Sequence, residues 1–169
     1  GRVFQGDQPG NSGKVVRGLG DTMNLTGGAD VNRLADNNIG VVKNAAGDGY
    51  NIKLAKDLKG LNSVTVGDEN GVSTKITPAG TTVKDAAGNS TVIKGGGMTI
   101  TPADATASPV SLTVDGLNNG GNQIHGVAPG TDDTDAVNVS QLKVSNAGLQ
   151  EAVNRVGTET QRVGAHATA

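Results

Sequence analysis

Between Val139 and Ala167 the chain sets Val139, Asn146, Val153, Thr160 and Ala167 seven residues apart, with Leu142, Leu149, Val156 and Val163 between them. This alternation of three and four is the signature of a helix that buries one stripe against a partner helix. With the second set at heptad position d, the first falls at position a. Five a layers and four d layers span about 42 Å of stalk at 1.5 Å per residue. The seam is weak where Asn146, Thr160 and Ala167 stand. Gly148, Gly157 and Gly164 each cost about 1 kcal/mol relative to Ala in a helix. A stalk ending at Ala169 is therefore expected to lean on the sequence before it, or on further sequence beyond it, to stay assembled. Asn146 reads as a register-setting polar residue rather than a ligand.

The remainder of the chain is poorly supplied for a core of its own. Its 169 residues include 10 Leu, 6 Ile, 20 Val and 1 Phe, with one Tyr, no Trp and 27 glycines. Aromatic side chains normally provide the largest single burials, and here they are almost missing. Net charge is only −2, so self-repulsion does not force disorder. Sparse apolar surface that cannot close a core within one chain can be buried between several, and oligomerisation is the expected resolution.

Short alternating runs divided by Gly, Asn and Asp predict a mainly β body. The first 20 residues, rich in glycine, are expected to be a partly ordered lead-in with Val15-Val16 as a short strand at most. Strands are predicted at Met23-Leu25, Ile39-Val42, Tyr50-Leu54 and Ser63-Val66, with a helical turn over Val31-Asp36 and a turn over Asp57-Leu61. A second block has strands at Val72-Thr77, Thr81-Lys84, Ser90-Ile93 and Gly97-Thr101, the first and last closed by a Thr-Pro step that lacks an amide donor. The expected organisation is lead-in 1–20, first β subdomain 21–67, second β subdomain 68–118, connector 119–138 and helical stalk 139–169. The helix is expected to begin near Thr134 or Asp135, with Asp132, Asp133 and Asp135 at its positive end.

The connector carries the most specific phrases in the chain: Asn122-Gln123-Ile124, Val127-Ala128-Pro129-Gly130-Thr131 and Asp135-Ala136-Val137-Asn138-Val139-Ser140-Gln141-Leu142. They resemble the neck motif of trimeric autotransporter adhesins. Leu54-Ala55-Lys56-Asp57-Leu58-Lys59-Gly60-Leu61-Asn62-Ser63-Val64-Thr65-Val66-Gly67 resembles a phrase that recurs in head domains of the same family. The resemblance implies a homotrimer: a head built as an intersubunit β-prism of short strands, a neck, and a parallel trimeric coiled coil. Heptads alone do not fix the number of strands, so three comes from the resemblance. It also implies a Gram-negative surface adhesin, anchored in the outer membrane and directed at a host-cell surface or an extracellular-matrix protein or glycan. In such a neck Ile124, Val127, Val137 and Val139 would fill the space between chains, Pro129-Gly130 would make the turn, and Asp135 would pair or cap. The stalk core would be Val139, Leu142, Asn146, Leu149, Val153, Val156, Thr160 and Val163.

No constellation for chemistry emerges, and no catalytic, cofactor-binding or metal residue is predicted. Without cysteine there is no thiolate site, disulfide or Cys nucleophile. His125 and His166 are the only histidines, and neither has neighbours spaced for a triad or a zinc site. The Asp132-Asp135 run lacks the glycine and terminal Glu of a calcium loop. Gly95-Gly96-Gly97 lacks the lysine of a phosphate loop, and Gly27-Gly28-Ala29-Asp30 is an incomplete single calcium-roll repeat. No Lys or Arg stands between Lys94 and Lys143, which argues against nucleic acid. No apolar run is long enough for a membrane helix, so membrane contact is expected only through an anchor absent from this chain. A phage tail-fibre segment is the alternative reading, and the neck phrase argues against it. An enzyme on a trimeric β scaffold would want an aromatic sugar platform that one Tyr and one Phe do not supply.

Overall fold

The computed structural model describes residues 1–168; the last residue of the expected stalk, Ala169, lies outside them. The chain divides into two compact units, Gly1–Asn62 and Ser63–Ala169.

The first unit holds two separate hairpins. β1 (Arg2–Gln5) pairs antiparallel with β2 (Lys14–Arg17), bringing Val3 opposite Val16 and Phe4 opposite Val15. The lead-in is thus an ordered hairpin where loop was expected. A 3-10 turn over Gly10–Gly13 and the Gln5 side chain, whose Nε2 donates to the Gln8 carbonyl at 2.8 Å, fold the connection back on itself. β3 (Ile39–Lys43) pairs with β4 (Tyr50–Leu54), and Ile39–Leu54 and Val41–Ile52 share a face with Tyr50. The alternation of Tyr50, Ile52 and Leu54 with Asn51 and Lys53 is why this hairpin is legible in sequence. Asn38, only 7% exposed, exchanges hydrogen bonds with the backbone of Lys59 at 2.8 and 3.0 Å and ties the following loop to the hairpin. A 3-10 turn spans Val31–Arg33. Met23–Leu25 forms no strand: it has no partner to pair with, and Leu25 is 89% exposed.

The second unit opens with a seven-stranded antiparallel meander: β5 (Val64–Gly67), β6 (Ser73–Thr77), β7 (Gly80–Lys84), β8 (Ser90–Lys94), β9 (Gly97–Thr101), β10 (Val110–Thr113) and β11 (Gly116–Asn118). Every strand pairs with its sequence neighbours, so β5 and β11 are the sheet's two edges. The last two strands were not anticipated, although Val110 and Leu112 alternate and Asp115-Gly116 is a hairpin turn signal. Gly97, at φ 140, lies so close to the Leu112 carbonyl that a Cβ there would collide with it.

Register sorts the side chains of this sheet by chemistry. Val64, Ile76, Thr81, Ile93, Met98, Leu112 and Leu117 lie opposite one another in one unbroken row across all seven strands. Two residues along, on the same face, run Val66, Thr74, Val83, Thr91, Ile100 and Val110. The reverse face carries Thr65, Lys75, Thr82, Val92, Thr99 and Ser111. The first face is thus apolar or threonine throughout and is left partly open within its own unit: Ile93 is 48% exposed and Leu112 55%.

After the sheet and an irregular connector, α1 runs from Val139 to Thr168. It starts four or five residues later than the aspartates suggested. Those side chains are engaged elsewhere, as described below. No helix among the described residues is long and apolar enough to cross a membrane.

Candidate functional site: the connector and the heptad stripe

The connector is built from side-chain amides that substitute for missing backbone partners. Its start is a turn in which Asn119 Nδ2 donates to the carbonyls of Asn122 and Gln123, at 2.8 and 3.2 Å, while Asn122 Nδ2 donates back to the Asn119 carbonyl at 2.9 Å. Its end is a clamp. Gln141 Nε2 donates to the Gly130 carbonyl at 2.9 Å and Gln141 Oε1 accepts from the Gly130 amide at 2.9 Å, so one side chain pairs both backbone groups of one residue. Asn138 Nδ2 donates to the Val127 carbonyl at 3.0 Å. Val127, Gly130, Asn138 and Gln141 are all half-buried. Gly130 is a glycine because a Cβ there would stand 2.6 Å from the Ala136 carbonyl oxygen.

The same two amide residues start the helix. Asn138 Oδ1 accepts from the Gln141 amide at 3.0 Å, and Gln141 Oε1 accepts in return from the Asn138 amide at 3.2 Å. This is a reciprocal capping box, with Asn at the cap and Gln three residues on. The sequence signal was available in Asn138-Val139-Ser140-Gln141, but the aspartates upstream competed for the role. Asp135 instead closes a turn of its own: its Oδ2 accepts from the amides of Asp132 and Thr131 at 2.9 and 3.0 Å. Those two backbone donors hold its carboxyl below the usual carboxylate range.

Of the residues expected to fill a neck, Val127 is half-buried, whereas Ile124 is 63% and Val137 68% exposed and Pro129 and Asp135 lie at the surface. Among the described residues, Ile124 and Val137 are left largely uncovered. On α1 the large residues of the heptad stripe, Val139, Leu142, Leu149, Val153, Val156 and Val163, remain between 55% and 67% exposed. Asn146 sits on the same exposed stripe, and Thr160 turns its hydroxyl back to the Val156 carbonyl at 2.8 Å, which satisfies it without a partner helix. The ion pairs Glu151–Arg155 (3.1 Å) and Glu159–Arg162 join positions outside the stripe. Among the described residues no group of three or more His, Asp or Glu side chains could hold a metal ion.

The described residues thus provide a β-rich body of thin sheets, an amide-clamped connector and a long C-terminal helix with one uncovered stripe. Residues 123–165 match the family model described as the coiled stalk of trimeric autotransporter adhesin. Among solved structures, the C-terminal stalk of AtaA from Acinetobacter sp. Tol 5, fused to GCN4 adaptors, is similar at 28% identity and a TM-score of 0.54. The match covers 76% of this chain and 34% of that one, so this chain spans about a third of the AtaA structure's length. N-terminal domain 1 of VompD from Bartonella quintana matches at 20% identity over 87% of this chain and 99% of that one, but its TM-score of 0.27 does not superpose the two architectures. No curated protein sequence matches. The stalk-family and AtaA matches support a trimeric autotransporter adhesin passenger, with the stalk likeness carried by residues 123–165. Adhesins of this kind are surface-exposed and anchored in the outer membrane.

Proposed function

We propose that three copies of this chain assemble in parallel into a β-prism head, a neck and a coiled-coil stalk that present or space the head at a Gram-negative cell surface for attachment to host cells or matrix. One observation carries this reading: among the described residues no hydrophobic side chain is buried. Its accessible surface is 14,168 Å². A compact monomer of its mass would expose roughly 7,700 Å². Three sheets turning their apolar rows toward a common axis would cover Ile93, Met98 and Leu112, and three heptad stripes would cover Leu142, Leu149 and Val156. The polar face of each sheet would then form the outer wall. In the neck, Ile124, Val127 and Val137 would pack between chains, with Pro129 and Asp135 shaping the turn. The match to an adhesin stalk supports the assembly and a spacing role.

Attachment is tested by displaying the chain on a non-adherent bacterium through a trimeric membrane anchor and measuring retention on surfaces coated with extracellular-matrix proteins or glycans. Saturable retention that free chain competes away is the expected result. Retention equal to that of the anchor alone on every surface contradicts direct attachment.

A further inference from the structure

The first hairpin pairs like with like. Arg2 stands directly opposite Arg17 in the register of β1 and β2, and like charges so placed repel each other. Side chains alternate along a strand, so the two arginines share one face with Phe4 and Val15, while Val3, Val16, Gln5 and Lys14 take the other. No carboxylate offsets the pair: the ion pairs among the described residues are Lys75–Glu69, Arg155–Glu151 and Arg162–Glu159. Asp21, the acid nearest to Arg17 in sequence, has its Oδ2 taken by the Gly18 amide at 2.8 Å.

Arg17 is also partly drawn out of water. The residue is half-buried, and its Nε is shut off from solvent with no hydrogen-bond partner. A guanidinium left both partly desolvated and unpaired is costly, and an oxyanion bound at its other nitrogens offsets that cost with charge-assisted hydrogen bonds. In the assembly proposed above, turning this face to the axis would bring three such cationic pairs together, so it belongs on the outside. Phe4 lies two residues along from Arg2 and diagonal to Arg17, within reach of both, and is 43% exposed. Its ring offers a flat apolar face to the C–H side of a sugar. One ring is too little to hold a neutral sugar, so charge must supply the affinity.

We propose that Arg2, Arg17 and Phe4 form a subsite for an acidic glycan, the guanidinium forks taking a carboxylate or sulfate and the Phe4 ring lying beneath the sugar that carries it. The subsite rests on the adhesive reading above and names the chemistry of the ligand. Three copies per trimer suit a polymer that repeats its anion, because linked contacts raise overall affinity.

Immobilised heparin, which carries both anions, and neutral dextran are the probes, each exposed to the intact chain. Binding to heparin and not to dextran is expected. Arg2→Gln with Arg17→Gln should weaken heparin binding by about tenfold or more, with Tm unchanged or raised because the repulsion is relieved. Arg2→Lys with Arg17→Lys keeps the charge without the fork and should fall between the two. Lys14→Gln, on the opposite face, should bind as the wild type does. No binding to heparin, full affinity in the double Gln variant, or an equal loss in Lys14→Gln overturns the subsite. Lost binding with a lowered Tm marks the pair as structural and contradicts it too. Duplex DNA bound as tightly as heparin at the same salt concentration shows a general attraction for polyanions and also contradicts it. Retention of displayed bacteria without heparin binding overturns the subsite and leaves attachment standing, whereas heparin binding without retention does the reverse.

Discussion

Gln141 and Gly130, eleven residues apart, pair like two rungs of a sheet: the glycine's amide and carbonyl are both engaged by the one side-chain amide, each at 2.9 Å. Because the same Gln141 Oε1 also accepts from Asn138, the turn into the helix and the start of the helix are one structure. Gln141→Ala therefore leaves the half-buried groups of Gly130 without partners and is expected to destabilise the connector by about 1 to 3 kcal/mol. Faster amide exchange at Gly130 and Asn138, with exchange in the seven-stranded sheet unchanged, is the predicted pattern. Gln141→Glu keeps the acceptor and loses the donor, so it should fall between wild type and Ala.

Asp135 gives the connector a pH dependence. Its folded pKa is depressed by the amides of Asp132 and Thr131, so its contribution is present above the unfolded carboxylate value, near 4, and is lost as pH falls through the lower folded value. Asp85, held down chiefly by the Asn89 side chain, and Asp104, held down by Thr106, act in the same direction within the sheet unit. Melting temperature is expected to be flat from neutral pH to about pH 5 and to drop below pH 4. In Asp135→Asn the protection factors of the Thr131 and Asp132 amides should be lower at neutral pH and should no longer fall on acidification.

Ile93 and Val92 are adjacent in β8 and point to opposite faces. In the single chain Val92 is half-buried and Ile93 is 48% exposed, so burial alone would make Val92 the more sensitive site. The proposed assembly reverses that order, because Ile93 belongs to the apolar row. Ile93→Asp should destabilise by at least about 2 kcal/mol per chain, the lower end for losing a large buried aliphatic side chain. Val92→Asp should cost about 1 kcal/mol, the span of β-propensity. Denaturant melts of both variants decide the order.

Much of the β architecture was readable because each strand states its own period: Tyr50-Leu54 alternates, and Ser73-Thr77 ends at a Thr-Pro step. β1 was hidden by surrounding glycines, since Arg2–Gln5 pairs only with Lys14–Arg17, across an intervening glycine-rich loop, and has no alternation of its own. Met23–Leu25 failed in the opposite way, having strand-like residues and no partner. The connector phrases were specific enough to point to the family whose stalk model matches residues 123–165. The helix start was misplaced because four candidate caps stood upstream of Asn138, and composition alone does not say which carboxylate is already committed to a local turn. Gln141 went unnoticed as a clamp because its partner is the backbone of a glycine, which leaves no side-chain signature.

The stalk register makes its own prediction. Leu149→Asp with Val156→Asp would place three carboxylates in each of two buried layers and should separate the helices, given the cost of desolvating charge. Loss of helical circular dichroism with the β signal retained is expected. Full retention of both signals contradicts the heptad assignment.

Sedimentation equilibrium of the intact chain at neutral pH, over a wide concentration range, tests the central claim most directly. A single species at three times the 16.8 kDa chain mass is expected. A stable, folded species at 16.8 kDa would contradict it, because the uncovered sheet rows and heptad stripe would then be the native surface of a monomer.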